Sequence, residues 1–143
     1  MKKNIIICGL LLLVSCLIAT LSPQLVIAQD LELQGRTFGN TVKAGEDNPF
    51  FVEVGNRSNV PITNIVFSSY QPEGWVVEFR PGEIGSLAAR SSQTIDVNIK
   101  PPARATPGQY RVTLIAEAVE AREVMDMSVV VGTSNNLELS GGT

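Results

Sequence analysis

The chain has 143 residues, 44% of them hydrophobic and 17% charged, with 11 Lys and Arg against 14 Asp and Glu. That length allows one domain. It holds no histidine, and its two cysteines, Cys8 and Cys16, both fall in an apolar opening stretch. Beyond that stretch a disulfide, a thiolate nucleophile and a Cys/His zinc site are all excluded, and no cofactor is expected.

Residues 1–28 read as an export signal. Lys2 and Lys3 give a positive start, Ile5 to Leu21 an uncharged apolar core, and Val26-Ile27-Ala28 a small-residue site for cleavage between Ala28 and Gln29. Two other readings stay open. Leu13-Val14-Ser15-Cys16 has the form of a lipobox, although apolar residues continue past Cys16. The uncharged run from Asn4 to Ala28 is also long enough to span a bilayer, although Pro23 and Gln24 interrupt it. The expected location is the periplasm, cell surface or medium, with membrane contact only through an uncleaved or lipidated leader. Without Lys2 and Lys3 the chain keeps nine basic against fourteen acidic residues, a net charge of −5. The basic residues fall singly, so no stripe forms that could neutralise several phosphates, and nucleic acid is not an expected partner.

From residue 29 onward the hydrophobic pattern has a period of two, which places one strand face inward. Leu31-Glu32-Leu33-Gln34 alternates, and its expected partner is the FFVEV run. There Phe50, Val52 and Val54 share one face and Phe51, Glu53 and Gly55 the other. Pro61 to Tyr70 is rich in Ile, Val, Phe and Thr, but Ile62 and Val66 are out of phase with Ile65 and Phe67, which predicts a bulge. Trp75, Val77 and Phe79 form an inward set behind a Pro-x-Gly turn. Ile95, Val97 and Ile99 alternate strictly with polar residues over Gln93 to Lys100, as in an antiparallel sheet with one wet face. Tyr110, Val112, Leu114 and Ala116 form the next inward set, and Met125, Met127, Val129 and Val131 the last. RPGEIGS, KPPARATPG and EAVEA are short turn-rich connectors.

These features predict an immunoglobulin-like antiparallel β-sandwich of about seven strands over residues 29–132, followed by a polar tail at 133–143; a barrel is the alternative. The expected core is Phe50, Val52, Val54, Trp75, Val77, Phe79, Ile95, Val97, Ile99, Tyr110, Val112, Leu114, Met127 and Val129.

Four elements in order carry a resemblance: Gly45 with FFVEVGN at 50–56, PEGW at 72–75 running into VVEF, TIDVNIKPP at 94–102 and ATPGQYRVTLIA at 105–116. Together they resemble the NPCBM-associated Ig-like domain found in bacterial α-galactosidases and in envelope proteins. The resemblance implies an accessory domain without catalysis of its own, often one piece of a larger protein and sometimes followed by a membrane span. No apolar segment follows Val131 here.

Individual residues offer competing readings. Trp75 could be a sugar platform, but its company with Val77 and Phe79 favours the core. Tyr110 behind Pro107-Gly108 is similar to a tyrosine corner, whose hydroxyl caps nearby backbone. Glu46-Asp47-Asn48 could offer oxygens to calcium, yet its spacing fits no EF-hand loop and a solvated turn is the simpler reading. Glu73, Glu78 and Glu83 could supply paired carboxylates for glycoside hydrolysis, but their placement implies no pocket. Asn56-Arg57-Ser58 has the form of a glycosylation sequon and reads as a turn.

The expected function is that of a non-catalytic exported module that docks with an envelope protein, by an open sheet edge or by outward apolar residues such as Val76, Ile115, Val124 and Val130. The alternative is a carbohydrate-binding accessory associated with glycoside hydrolysis. An enzyme would need a cleft with perturbed acids, which no spacing indicates.

Overall fold

The computed structural model describes residues 30–36 and 39–133. The leader with Cys16, the cleavage site at Ala28 and Gln29, Phe38, and the tail after Thr133 lie outside the described residues. Nine strands occur within them: β1 (Leu31–Gly35), β2 (Thr41–Val42), β3 (Asn48–Asn56), β4 (Ile62–Tyr70), β5 (Val76–Arg80), β6 (Glu83–Leu87), β7 (Ser92–Lys100), β8 (Gly108–Glu117) and β9 (Arg122–Val131). Among the described residues no helix is long and apolar enough to cross a membrane.

The strands form two sheets, β1-β3-β7-β5 and β2-β9-β8-β4-β6, which together make an immunoglobulin-like sandwich. Pairing is antiparallel except where β2 runs parallel to the end of β9. Alternation along each strand explains the layers. In β3 the residues Phe50, Val52 and Val54 turn inward and are at most 4% exposed. Ile95, Val97 and Ile99 of β7 and Val112, Leu114 and Ala116 of β8 fill the space between the sheets. Each such aliphatic side chain contributes roughly 1.5–3 kcal/mol on burial, so stability rests on this layer. Leu31 and Leu33 of β1 and Val129 and Val131 of β9 close one side, and Ile84 and Leu87 of β6 the other.

The structure departs from the sequence reading in four places. There are nine strands where about seven are expected, because β2 and β6 are short. The RPGEIGS connector contains β6, an edge strand on β4 whose Ile84 and Leu87 are buried three residues apart, a spacing that hides it from a search for alternation. The phase break in β4 is real, but no residue is inserted against the partner. Ile62 pairs with Leu87 and Ile65 with Ile84 in one unbroken register, and both strands change phase together. Asn64, at φ +54°, makes the change on β4. Asparagine tolerates that left-handed conformation better than most residues.

The fourth difference concerns the outward apolar residues. Val76 lies on the four-stranded sheet, whereas Ile115, Val124 and Val130 lie on the five-stranded one, so the four do not share a surface. Ile115 is moreover only 5% exposed. It sits on the central strand β8 with Ser68 across from it on one side and Val124 on the other, cover that an edge residue lacks.

Candidate functional site

Pro72-Glu73-Gly74-Trp75 closes a turn in which the Trp75 N–H donates to the Pro72 carbonyl at 3.2 Å, and Gly74 adopts φ +80°. The turn delivers the indole into the core at 6% exposure. It packs on Tyr110 with ring centroids 4.9 Å apart and planes inclined at 49°, and a ring so covered offers no face to a sugar. The Tyr110 hydroxyl donates to the Thr106 carbonyl at 2.6 Å, which fastens the loop ahead of β8 to the strand itself. Tyr110, Val77, Phe79 and Met127 are partly buried against the core, and Phe79 stacks on Phe67 at 5.7 Å.

The polar candidates serve turns. The Asn48 amide donates to the carbonyls of Lys43, Glu46 and Ile99, and its oxygen accepts the Lys43 N–H. Asp47 instead accepts from Asn98 at 2.8 Å, and Glu46 faces Lys43, so the oxygens of Glu46-Asp47-Asn48 point to different partners. Gly45 in the same turn, at φ +73°, lies against Ala103, where an added Cβ would come within 3.0 Å of backbone. Among the described residues no three His, Cys, Asp or Glu gather as a metal site. Asn56 is 2% exposed. Its amide donates to the carbonyls of Val60, Leu87 and Ala88 and its oxygen accepts the Ser58 N–H, so the sequon asparagine is a buried brace between β3, β4 and β6.

Two surface features among the described residues bear on function. The first is the outer edge of β9. Strand β2 pairs with Val130 and Val131 alone, and from Arg122 to Val129 that edge pairs with no strand among the described residues. Beside it an apolar stripe crosses three strands through Val66 (50% exposed), Ile115 and Val124 (43% exposed).

The second is a shallow groove of about 490 Å³ on the outer face of the four-stranded sheet, lined by residues of β3, β5 and β7 that include Phe51, Glu78, Arg80, Asp96 and Asn98. Glu78 is ion-paired with Arg80 at 3.2 Å. Farther along the same face a hydrogen bond from Ser92 and the Arg36 guanidinium hold the Glu53 carboxyl below the usual carboxylate range. The alternation of β3 already places Phe51 opposite Phe50. What surrounds it depends on strand register, for which a single sequence carries no signal.

Residues 42–118 match the family described as the NPCBM-associated, NEW3 domain of alpha-galactosidase. No curated protein matches the sequence. Among solved structures the chain is similar to a FixG-related protein from Vibrio parahaemolyticus, with a TM-score of 0.60 at 7% identity over 74% of this chain and 100% of that one. A conjugative transposon lipoprotein from Bacteroides eggerthii gives 0.53 at 10% identity over 71% and 98%. A family 123 glycoside hydrolase from Clostridium perfringens gives 0.51 at 17% identity over 73% of this chain, which spans only 27% of the hydrolase. At these identities the likeness is one of fold.

Proposed function

The chain belongs to the NPCBM-associated NEW3 domain family, and from that premise we propose that it is an exported, non-catalytic accessory module that docks onto another protein of the cell envelope. Docking uses the open edge of β9. The observation that carries the reading is the run from Arg122 to Val129, whose outer backbone groups lack a strand partner among the described residues, lying next to the stripe of Val66, Ile115 and Val124. Unpaired edges accept a strand by main-chain hydrogen bonding, while side chains on the adjoining face supply selectivity. The apolar leader at 1–28 supports export. The family supports an accessory role beside enzymes rather than catalysis by this domain.

The test is photo-crosslinking in cells that express the full chain, with the crosslinker at position 124 or, as a control, at position 83 on the opposite edge. A discrete envelope-protein adduct from 124 that is absent from 83 is expected, and Val124→Lys should abolish it when the crosslinker is moved to 66. Adducts of equal yield from both positions, or none from 124, would contradict docking at β9. The second reading, carbohydrate binding, is favoured by one observation, the groove that holds Phe51.

A further inference from the structure

Register sets two adjacent rungs across the outer face of β3, β7 and β5. Pro49 pairs with Asn98 and Asn98 with Glu78; two residues on, Phe51 pairs with Asp96 and Asp96 with Arg80. The rungs span roughly 10 Å across the strands and lie about 7 Å apart along them, a footprint that a sugar ring and its substituents can cover. Phe51 is 48% exposed at one corner, and the groove over the grid, about 490 Å³, falls within the roughly 300–1,000 Å³ of small-ligand sites.

We propose that this grid binds a neutral pyranoside, with the Phe51 ring under the apolar face of the sugar and Asp96, Asn98, Glu78 and Arg80 bonding its hydroxyls. A pyranose has a C–H face that an aromatic ring can cover. Its hydroxyls both donate and accept, which suits carboxylates set beside an amide and a guanidinium.

Charge decides against the other ligand classes. Glu78 is paired with Arg80 at 3.2 Å, and Asp47 at the rim is paired with Lys100 at 3.9 Å and accepts a hydrogen bond from the Asn98 amide. Asp96 is left as the carboxylate of the groove with neither a hydrogen bond nor an ion pair from a described side chain. An anionic sugar would be repelled by that carboxylate. A cationic peptide would find one free carboxylate, too few for a cage. A neutral, donor-rich ligand makes use of all the groups without displacing either ion pair. The inference rests on the carbohydrate reading and is independent of docking at β9.

The experiment titrates the purified full chain with raffinose and cellobiose as neutral saccharides, trigalacturonate as an anion and trilysine as a cation, followed by amide chemical shifts. Either neutral sugar is expected to move the amides of residues 51, 78 and 96. Phe51→Ala and Asp96→Ala should each weaken binding about tenfold or more while Trp75 emission stays unchanged, which shows the fold intact. Absence of a response to both neutral sugars, undiminished binding in a folded Phe51→Ala chain, or uptake of trilysine or trigalacturonate in their place would overturn the proposal. The adduct from position 124, scored in parallel on the Phe51→Ala chain, separates this result from the docking one.

Discussion

Asn56 shows how much one polar side chain can hold. Its amide serves three carbonyls from two separate segments, at Val60 and at Leu87 with Ala88; the bonds to the Leu87 carbonyl and from the Ser58 N–H are buried and the other two partly so. Asn56→Ala would leave the two buried partners, the Leu87 carbonyl and the Ser58 N–H, unpaired, at about 1–3 kcal/mol each. The expected loss is about 2–4 kcal/mol in urea unfolding, and a loss below about 0.5 kcal/mol would show that water replaces the amide. Tyr110 allows a finer test. Tyr110→Phe keeps the ring on Trp75 and removes only the bond to the Thr106 carbonyl, so about 0.5–1.5 kcal/mol should be lost with no change in Trp75 emission. A much larger loss would mean that the hydroxyl orders more than one loop. Tyr110 could be found from sequence by its position behind Pro107-Gly108. Asn56 was visible only as a turn residue, because its carbonyl partners lie as far as 32 positions away.

At the scale of elements, alternation made β3, β7, β8 and β9 legible because each has one face against the core and one toward solvent. It failed at β6 for a physical reason. EIGSL pairs with the stretch of β4 that changes phase, so its buried residues fall three apart and Gly85 reads as part of a turn. The two-residue β2 is too short for any period to register. Asn64 is the pivot of that phase change, and its substitutions should separate conformation from packing, since its side chain is exposed. Asn64→Gly should change stability by less than about 0.5 kcal/mol, whereas Asn64→Val should cost about 1–2 kcal/mol, because a β-branched residue is strained at positive φ. Equal effects in thermal unfolding would mean that the Asn64 side chain, not its backbone, sets the phase. The groove could not have been anticipated, since it joins residues near 51, 79 and 97 that only the register of three strands makes neighbours.

For the whole molecule, the motifs shared with the family turn out to be scaffold. Gly45 packs a turn onto Ala103, PEGW seats the indole, the TIDVNIKPP strand pairs with both β3 and β5, and ATPGQYRVTLIA brings Tyr110 and the central strand β8. Family membership thus accounts for the fold, and the two surface features differ in their relation to the motifs: the groove is built from motif residues, Phe51, Glu78, Asp96 and Asn98, whereas the β9 edge from Arg122 to Val129 lies outside them. The most direct measurement is amide hydrogen exchange on the full chain, purified alone and then in the crosslinked complex isolated through position 124. Docking by strand addition predicts that amides between Arg122 and Val129 exchange more slowly in the complex, while those of β5 and β6 on the far side do not change. Unaltered exchange along β9, or protection at β5 and β6 instead, would contradict it.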